Sequence, residues 1–356
     1  MRAGARMGTR AGAEGALFGD DIDAPRSRLT LAARMDEAAA AIHTVVLPKM
    51  GLTLVGGAIP SMVLSLRVGA AWVAVGLGLA AWSWFAVGLP ADAGGLGLTV
   101  TEEALLYLGA GQFLLSPSVL ATTLAAGLVD EPLRVQLLDG SRRAALALPA
   151  DGGSVYCLDR GQAAVVVMID GDETAIYPSE AFAGEIVAGL DETLVLEKGE
   201  LDGHARLAKE PGHRTLLLVA AMLVGTAKAS SELSVDYAKT REQFGQPIGA
   251  FQAVKHRCVN MALQAFSAEA QLLMAAACTA EGTADAAFQT VAAAHSAINA
   301  ARSNGAAAIQ VHGGMGFTAE CDAHLFLKRA HVLARLIGGA ERQEASLLAS
   351  AAPTKR

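Results

Sequence analysis

The stretch Tyr237-Ala238-Lys239-Thr240-Arg241-Glu242-Gln243-Phe244-Gly245-Gln246-Pro247-Ile248-Gly249-Ala250-Phe251-Gln252 closes one long periodic segment and opens another. Tyr237 and Arg241 stand four apart and share a helix face. Gly245 and Pro247 stop that helix, so Arg241 projects from a rigid end beside an adaptable turn. A guanidinium so placed can make a paired, charge-assisted contact to a phosphate. It can also pair with a carboxylate while the loop merely turns. A second stretch, Gln310-Val311-His312-Gly313-Gly314-Met315-Gly316-Phe317, has the same ambiguity. Its glycines let a ligand approach the backbone, and its amides can receive an anionic or polar group. A helix C-cap followed by a turn explains the same letters.

Around these two stretches the chain is helical. Thr215–Thr240, Phe251–Thr279, Ala284–Ile309, Glu320–Leu336 and Ala340–Ala351 read as antiparallel helices of a bundle. The preceding zone reads as β. Ala163–Ile169 is an unbroken apolar run, Gly171-Asp172 is a turn, and Thr174–Tyr177 and Thr193–Glu197 are further strands. Short strands separated by Gly and Asp predict a small antiparallel sheet or barrel. Before it, Leu29–Ile42 and the acidic start Thr101-Glu102-Glu103 read as helices, joined through the glycine-rich loop Leu89–Gly97. The expected organisation is a flexible leader (1–28), a helical N-terminal domain (29–125), a β middle domain (126–208) and a helical C-terminal domain (209–356).

Composition narrows the class. The 356 residues carry a net charge of −7, which argues against a nucleic-acid footprint. Cys157, Cys258, Cys278 and Cys321 form no CxxC pair, so neither a metal site nor a disulfide framework is expected, and a reducing cytoplasm fits. Hydrophobic residues reach 53%, an excess that oligomerisation would bury. Val68–Leu89 is about 22 residues without a charge, long enough for a membrane span. Its four glycines and the lack of a basic flank favour a buried helix running into a buried extended segment, and no membrane span is expected. The three arginines of residues 1–17 accompany no apolar h-region, so no secretory signal is read there.

Taken together and in order, the two motifs resemble the C-terminal domain of the acyl-CoA dehydrogenase family. Val224–Gln252 is similar to that family's Tyr-Ala-x-x-Arg-x-x-Phe-Gly-x-x-Ile-x-x-Phe-Gln run, and Ala306–Ala330 to its flavin-adenine loop. Trp84–Ala126, with Leu89-Pro90 and Gly94-Gly95-Leu96-Gly97, is similar to its N-terminal domain. The resemblance implies an α+β fold: a helical N-terminal domain, a small β middle domain and a C-terminal four-helix bundle. It implies an enzyme that binds FAD between subunits and converts an acyl-CoA to a trans-2-enoyl-CoA. It also implies an electron-transfer flavoprotein as electron acceptor, and a homo-oligomer or a hetero-oligomer with a homologous subunit. By the resemblance Arg241 holds the FAD pyrophosphate, with Gln243 and Phe244 flanking it. Gln252 lies near the adenosine, and Gln310, Gly313 and Gly314 line the adenine-side loop, commonly serving the neighbouring subunit's FAD.

Two departures from that pattern matter. Ile337, in Leu336-Ile337-Gly338-Gly339, stands where many members carry the catalytic glutamate. The alternative base position falls near Thr215, with Glu210 the nearest upstream acid and Glu341 reading as an exposed helix start, so no catalytic residue is assigned. The flavin-ring cradle of active members is echoed only by Ala147-Leu148-Pro149-Ala150-Asp151-Gly152-Gly153-Ser154, without its threonine and glutamate. A chain with outward-reaching groups but no cradle of its own fits the partner subunit of a mixed assembly. Such assemblies occur among bacterial relatives acting on bulky CoA thioesters, including steroid side chains. A flavin-free structural or interaction subunit with the same fold is the alternative.

Overall fold

A computed structural model describes residues 84–170, 173–202, 206–208 and 212–350. The leader, the helix expected over 29–42 and most of the apolar run 68–89 lie outside the described residues. The described end of that run is not extended. Trp84–Ala86 is a buried 3-10 turn, and its carbonyls fold the following loop back: Leu96 N–H donates to Ala86 O and Leu98 N–H to Val87 O.

Helix α1 (Val100–Gln112) opens on a capping box. The Thr99 hydroxyl accepts a first-turn amide, and the Glu102 carboxylate accepts the Thr99 N–H at 2.8 Å. Glu103 is no exposed dipole partner; it is buried and paired with Arg214 at 2.6 Å. Helices α2 (Ser118–Leu128) and α3 (Leu133–Leu138) lead into the sheet.

The sheet has seven strands: β1 (Ala144–Pro149), β2 (Val155–Leu158), β3 (Val165–Asp170), β4 (Glu173–Pro178), β5 (Phe182–Val187), β6 (Leu196–Leu201) and β7 (Arg206–Ala208), in spatial order β5-β6-β2-β1-β3-β4-β7. It is mixed rather than wholly antiparallel. β2 folds back on one edge of β1, the chain crosses over, and β3 enters parallel to β1 on the other edge. The strand expected at 193–197 begins later, at Leu196. Asp191 holds 191–194 as a turn by accepting from the Thr193 amide and hydroxyl.

Alternation explains the unbroken apolar runs. Leu146, Leu148, Val165, Val167 and Ile169 join the core shared with the helices, while Ala145, Ala147 and Val166 pack with Cys157 and Phe182 on the opposite face. A sheet covered on both faces has no polar side to write into its strands.

Five helices follow: α4 (Gly212–Thr240), α5 (Gln252–Glu281), α6 (Ala286–His312), α7 (Ala323–Leu336) and α8 (Gly339–Ala349). α4 is the central one, with Leu217 to Ala227 buried on every side. It meets α1 at backbone distance. A Cβ on Gly225 would lie 2.0 Å from Leu108 O, and one on Gly111 1.9 Å from Met222 O, so neither position accepts a side chain. By length and composition α4 and α5 are each apolar enough to cross a membrane, but α4 is a core helix while α5 leaves most of its apolar surface open.

Arg329 of α7 locks the parts together. It is 1% exposed and donates to Asp191 at 2.7 Å, to Thr193 Oγ1 at 2.8 Å, and to the Leu114 and Leu115 carbonyls at 2.5 and 2.6 Å. One guanidinium thus ties the bundle to the sheet and to the turn after α1. The fully bonded geometry is what makes a buried charge tolerable.

Candidate functional site

The last turn of α4 delivers Tyr237 and Arg241 to one end of the bundle. Arg241 N–H still donates to Tyr237 O at 2.8 Å, and then the chain reverses through the two-residue strands β8 (Glu242–Gln243) and β9 (Gln246–Pro247). Phe244 and Gly245 form the tip, both at positive φ (55° and 78°). The first is unusual for an aromatic residue and leaves the Phe244 ring 91% exposed, edge-on to Phe251 at 6.0 Å. The turn is closed by Ile248 N–H donating to Arg241 O at 2.8 Å.

This turn rests on the end of α6. The Tyr237 and His312 rings stack with centroids 4.2 Å apart and an interplanar angle of 26°. Ala238, Cys258 and Val311 form a small apolar core beneath, with Ile248 and Val254 against it. His312 is buried, and its Nδ1 lies 2.7 Å from Ala308 O. A carbonyl only accepts, so Nδ1 carries the proton and Nε2 is left as an acceptor. Burial lowers the His312 pKa, with the Ala308 bond partly opposing that shift. The stacked ring is therefore neutral at pH 7.

The structure thus joins the two sequence motifs through a pair of rings. Arg241, Gln243, Phe244, Gln252, Gln310, Gly313 and Gly314 are all exposed around this junction. Arg241 forms no ion pair with a carboxylate among the described residues. Gln243 spends its amide on Glu242 O at 2.8 Å. Beyond Gly313, where φ is 62°, a 3-10 turn leaves Met315 and Phe317 exposed at 48% and 77%. An unpaired guanidinium, open backbone and exposed aromatic edges suit a phosphate-bearing ligand or a second protein surface. Little here is enclosed by this chain alone.

Of the other expected site elements, Ile337 and Thr215 lie inward. Ile337 is 4% exposed within the main core, and its carbonyl accepts from Gln343 Nε2 at 2.5 Å. Thr215 is buried, and its hydroxyl finds no partner among the described residues. Glu210 lies outside the described residues, and Glu341 is exposed in the first turn of α8. Glu320 is exposed too, its carboxyl held below the usual range by the Thr318 hydroxyl. The turn after β1 bonds to itself: Ala150 N–H donates to Ser154 O at 2.9 Å and Ser154 Oγ to Asp151 O at 2.8 Å. Pro149 has no N–H to offer, and its carbonyl accepts from Arg335 at 3.2 Å.

Sequence reasoning passed over His312, Arg329 and Arg335. A histidine directly before Gly313-Gly314, in a helix facing Tyr237, was the available signal for the first. The other two sit in α7 without a local pattern to mark them.

The family model for the acyl-CoA dehydrogenase C-terminal domain matches residues 207–352. The chain is 35% identical over 295 residues to the acyl-CoA dehydrogenase FadE34 of Mycobacterium tuberculosis, covering 76% of this chain but only 41% of that protein. It is 34% identical over 257 residues to the acyl-CoA dehydrogenase IpdE2 of the same organism, covering 70% of this chain and 77% of that one. Among solved structures, a chain of the ChsE4-ChsE5 complex from Mycobacterium tuberculosis superposes with a TM-score of 0.65 at 20% identity, over 93% of this chain and 98% of that one.

Proposed function

The chain belongs to the acyl-CoA dehydrogenase family, and we propose that it serves as the partner subunit of a mixed flavoenzyme that converts an acyl-CoA thioester to a trans-2-enoyl-CoA. It would contribute groups that hold FAD to a homologous subunit, and that subunit would supply the catalytic base. The observation that carries this reading is the contrast between the two halves of the family's site. Arg241 and the Gly313-Gly314 backbone are exposed, with no ion pair on Arg241 among the described residues, whereas the base position at Ile337 is buried in the core and the ring-side turn 147–154, exposed at Asp151–Gly153, bonds to itself.

These residues fit FAD in part. Arg241, which makes no ion pair among the described residues, would pair with the pyrophosphate. Gly313 and Gly314 would let the adenine side approach the backbone, with Gln252 and Gln310 beside it. The ring side does not fit: Pro149 lacks a donor and the Ala150 amide is already bonded. Bound FAD supplies the hydride acceptor, and the remaining work is positioning and exclusion of water. Ile337 can neither take nor give a proton, so the proposal routes no proton transfer through that position.

A face for the partner is present. Val259, Leu263, Phe266 and Met274 recur along one side of α5 and are 55–69% exposed. Aromatic residues and methionine are typical of interface cores. The ChsE4-ChsE5 relative is itself a two-chain complex, which supports a mixed assembly here. A cytoplasmic setting, an electron-transfer flavoprotein as acceptor, and a bulky acyl-CoA as substrate belong to the same proposal. The closed 147–154 turn also suits a flavin-free structural subunit. Steady-state assay of the purified chain against acyl-CoA substrates tests the proposal. No turnover alone and turnover after assembly with a homologous subunit supports it, and turnover by the chain alone contradicts it.

A further inference from the structure

The proposed function gives His312 no part toward the cofactor, although it directly precedes Gly313 and Gly314. Its ring is fixed on two sides. Nδ1 donates to Ala308 O at 2.7 Å, and the Tyr237 ring covers one face with the centroids 4.2 Å apart. The one proton of the neutral ring is therefore spent, and Nε2 is held as an acceptor in a set direction. Among the described residues the ring's hydrogen bond is the one from Nδ1, so Nε2 has no partner there. Nor is it sealed in. Buried side-chain polar atoms without a partner lie on Trp84, Thr215, His295, Asn304 and His324, and none lies on His312. With 6% of its surface open, His312 thus presents Nε2 to the outside. The space beside it is clear, because a Cβ built on Gly313 or Gly314 would meet nothing within 4 Å.

We infer that His312 Nε2 accepts a hydrogen bond from the exocyclic amine of the adenine, and so selects adenine over other purines. This rests on the reading that Gly313 and Gly314 receive the adenine side of FAD, and it adds the group that would identify the base. Bare glycine backbone admits any flat ring. Adenine carries an amine donor at its exocyclic position, hypoxanthine carries a carbonyl acceptor there, and unsubstituted purine carries neither. An acceptor facing these three bonds the first, leaves the carbonyl of the second opposite a lone pair, and passes over the third. One neutral hydrogen bond changes affinity roughly three- to tenfold. A site that sets an acceptor against an acceptor rejects the wrong base more strongly than one that merely lacks a bond.

The test uses the diphosphates of adenosine, inosine and purine riboside, each with the adenosine-side phosphates of FAD in place. They are titrated at neutral pH into the purified full chain, alone and without added flavin, and followed by saturation-transfer NMR. The adenosine compound should bind roughly three- to tenfold more tightly than the purine compound, and the inosine compound most weakly. His312→Phe keeps a ring against Tyr237 and removes the acceptor, so it should erase the preference for adenine over purine. His312→Leu makes the same test if the first variant misfolds by circular dichroism. Arg241→Ala should weaken all three compounds alike and leave the order intact. Absence of saturable binding of adenosine diphosphate overturns the inference, as do equal affinities in the unaltered chain or a preference that survives loss of His312. Equal affinities that all fall with Arg241→Ala sink the adenine contact and leave the partner-subunit reading standing. A full flavin complement in the chain alone sinks that reading, while the order of the three diphosphates still decides the adenine contact.

Discussion

Two arginines, one within α7 and one at the end of α4, show how one residue type is put to two uses. Arg329 is 1% exposed, and four oxygen partners from two parts of the chain, 114–115 and 191–193, fix its fork. Arg241 stands in the open at the end of α4, with no carboxylate paired to it among the described residues. The first is satisfied by its own chain and contributes to the fold. The second is positioned by its own chain, through the Tyr237–His312 stack, and left for something outside it. The same contrast separates Ile337, sunk in the core, from Phe244, 91% exposed at the turn tip.

The sharpest break of that contrast is Arg329→Ala. It strands Asp191 in a buried site and should cost about 3–5 kcal/mol, read as a lower urea midpoint with an unchanged slope. Arg241→Ala should leave stability within about 0.5 kcal/mol. In the assembled enzyme it should weaken FAD retention by roughly ten- to a hundredfold, the range of a lost hydrogen bond to a charged group, measured as flavin released on gel filtration. If the two variants behave alike, the division between inner and outer arginines is wrong.

Ile337→Glu asks whether the sealed position can be made catalytic. Burying even the neutral carboxyl should cost about 1–3 kcal/mol. Because burial raises a carboxyl pKa, the folded state holds the proton more tightly and stability should fall further as pH rises. Turnover by the Ile337→Glu chain alone would show that the position still faces a working site.

The smallest effect concerns the stack. His312→Ala should lose about 0.5–1.5 kcal/mol of ring contact and speed hydrogen exchange at Ile248 N–H, which closes the Arg241 turn, while His312→Phe should restore its protection. Burial depresses the folded-state His312 pKa below the ordinary 6.5, so the unfolded chain binds the proton more readily. Its contribution is present in full above 6.5 and declines as pH falls below that value toward the folded pKa. His312→Phe should flatten part of this acid limb, leaving the share due to His331, whose pKa is shifted the same way. An unchanged limb would remove His312 from the account.

The legible parts of the molecule were those where local letters decide the outcome. The helices at 212–240, 252–281 and 286–312 follow from long periodic segments bounded by Gly or Pro. The Arg241 turn follows from Gly245 and Pro247. The sheet was less legible, because β1 and β3 are buried on both faces and carry no alternation from which direction or pairing can be read. Asp191 hid the true start of β6 by bonding to Thr193, a contact that looks like strand sequence. Arg329 was invisible because its partners lie more than a hundred residues away. At the site, Arg241 and Gly313-Gly314 were readable as motifs, but the ring pair that joins them exists only once α4 and α6 are side by side.

The central claim is that this chain presents flavin-holding groups outward without building a flavin site of its own. The flavin-to-chain ratio of the purified chain, measured by absorbance alone and after assembly with a homologous acyl-CoA dehydrogenase subunit, tests that most directly. A colourless chain that gains flavin only in the mixed assembly, and loses it again with Arg241→Ala, is the predicted result. A full flavin complement in the chain by itself would contradict it.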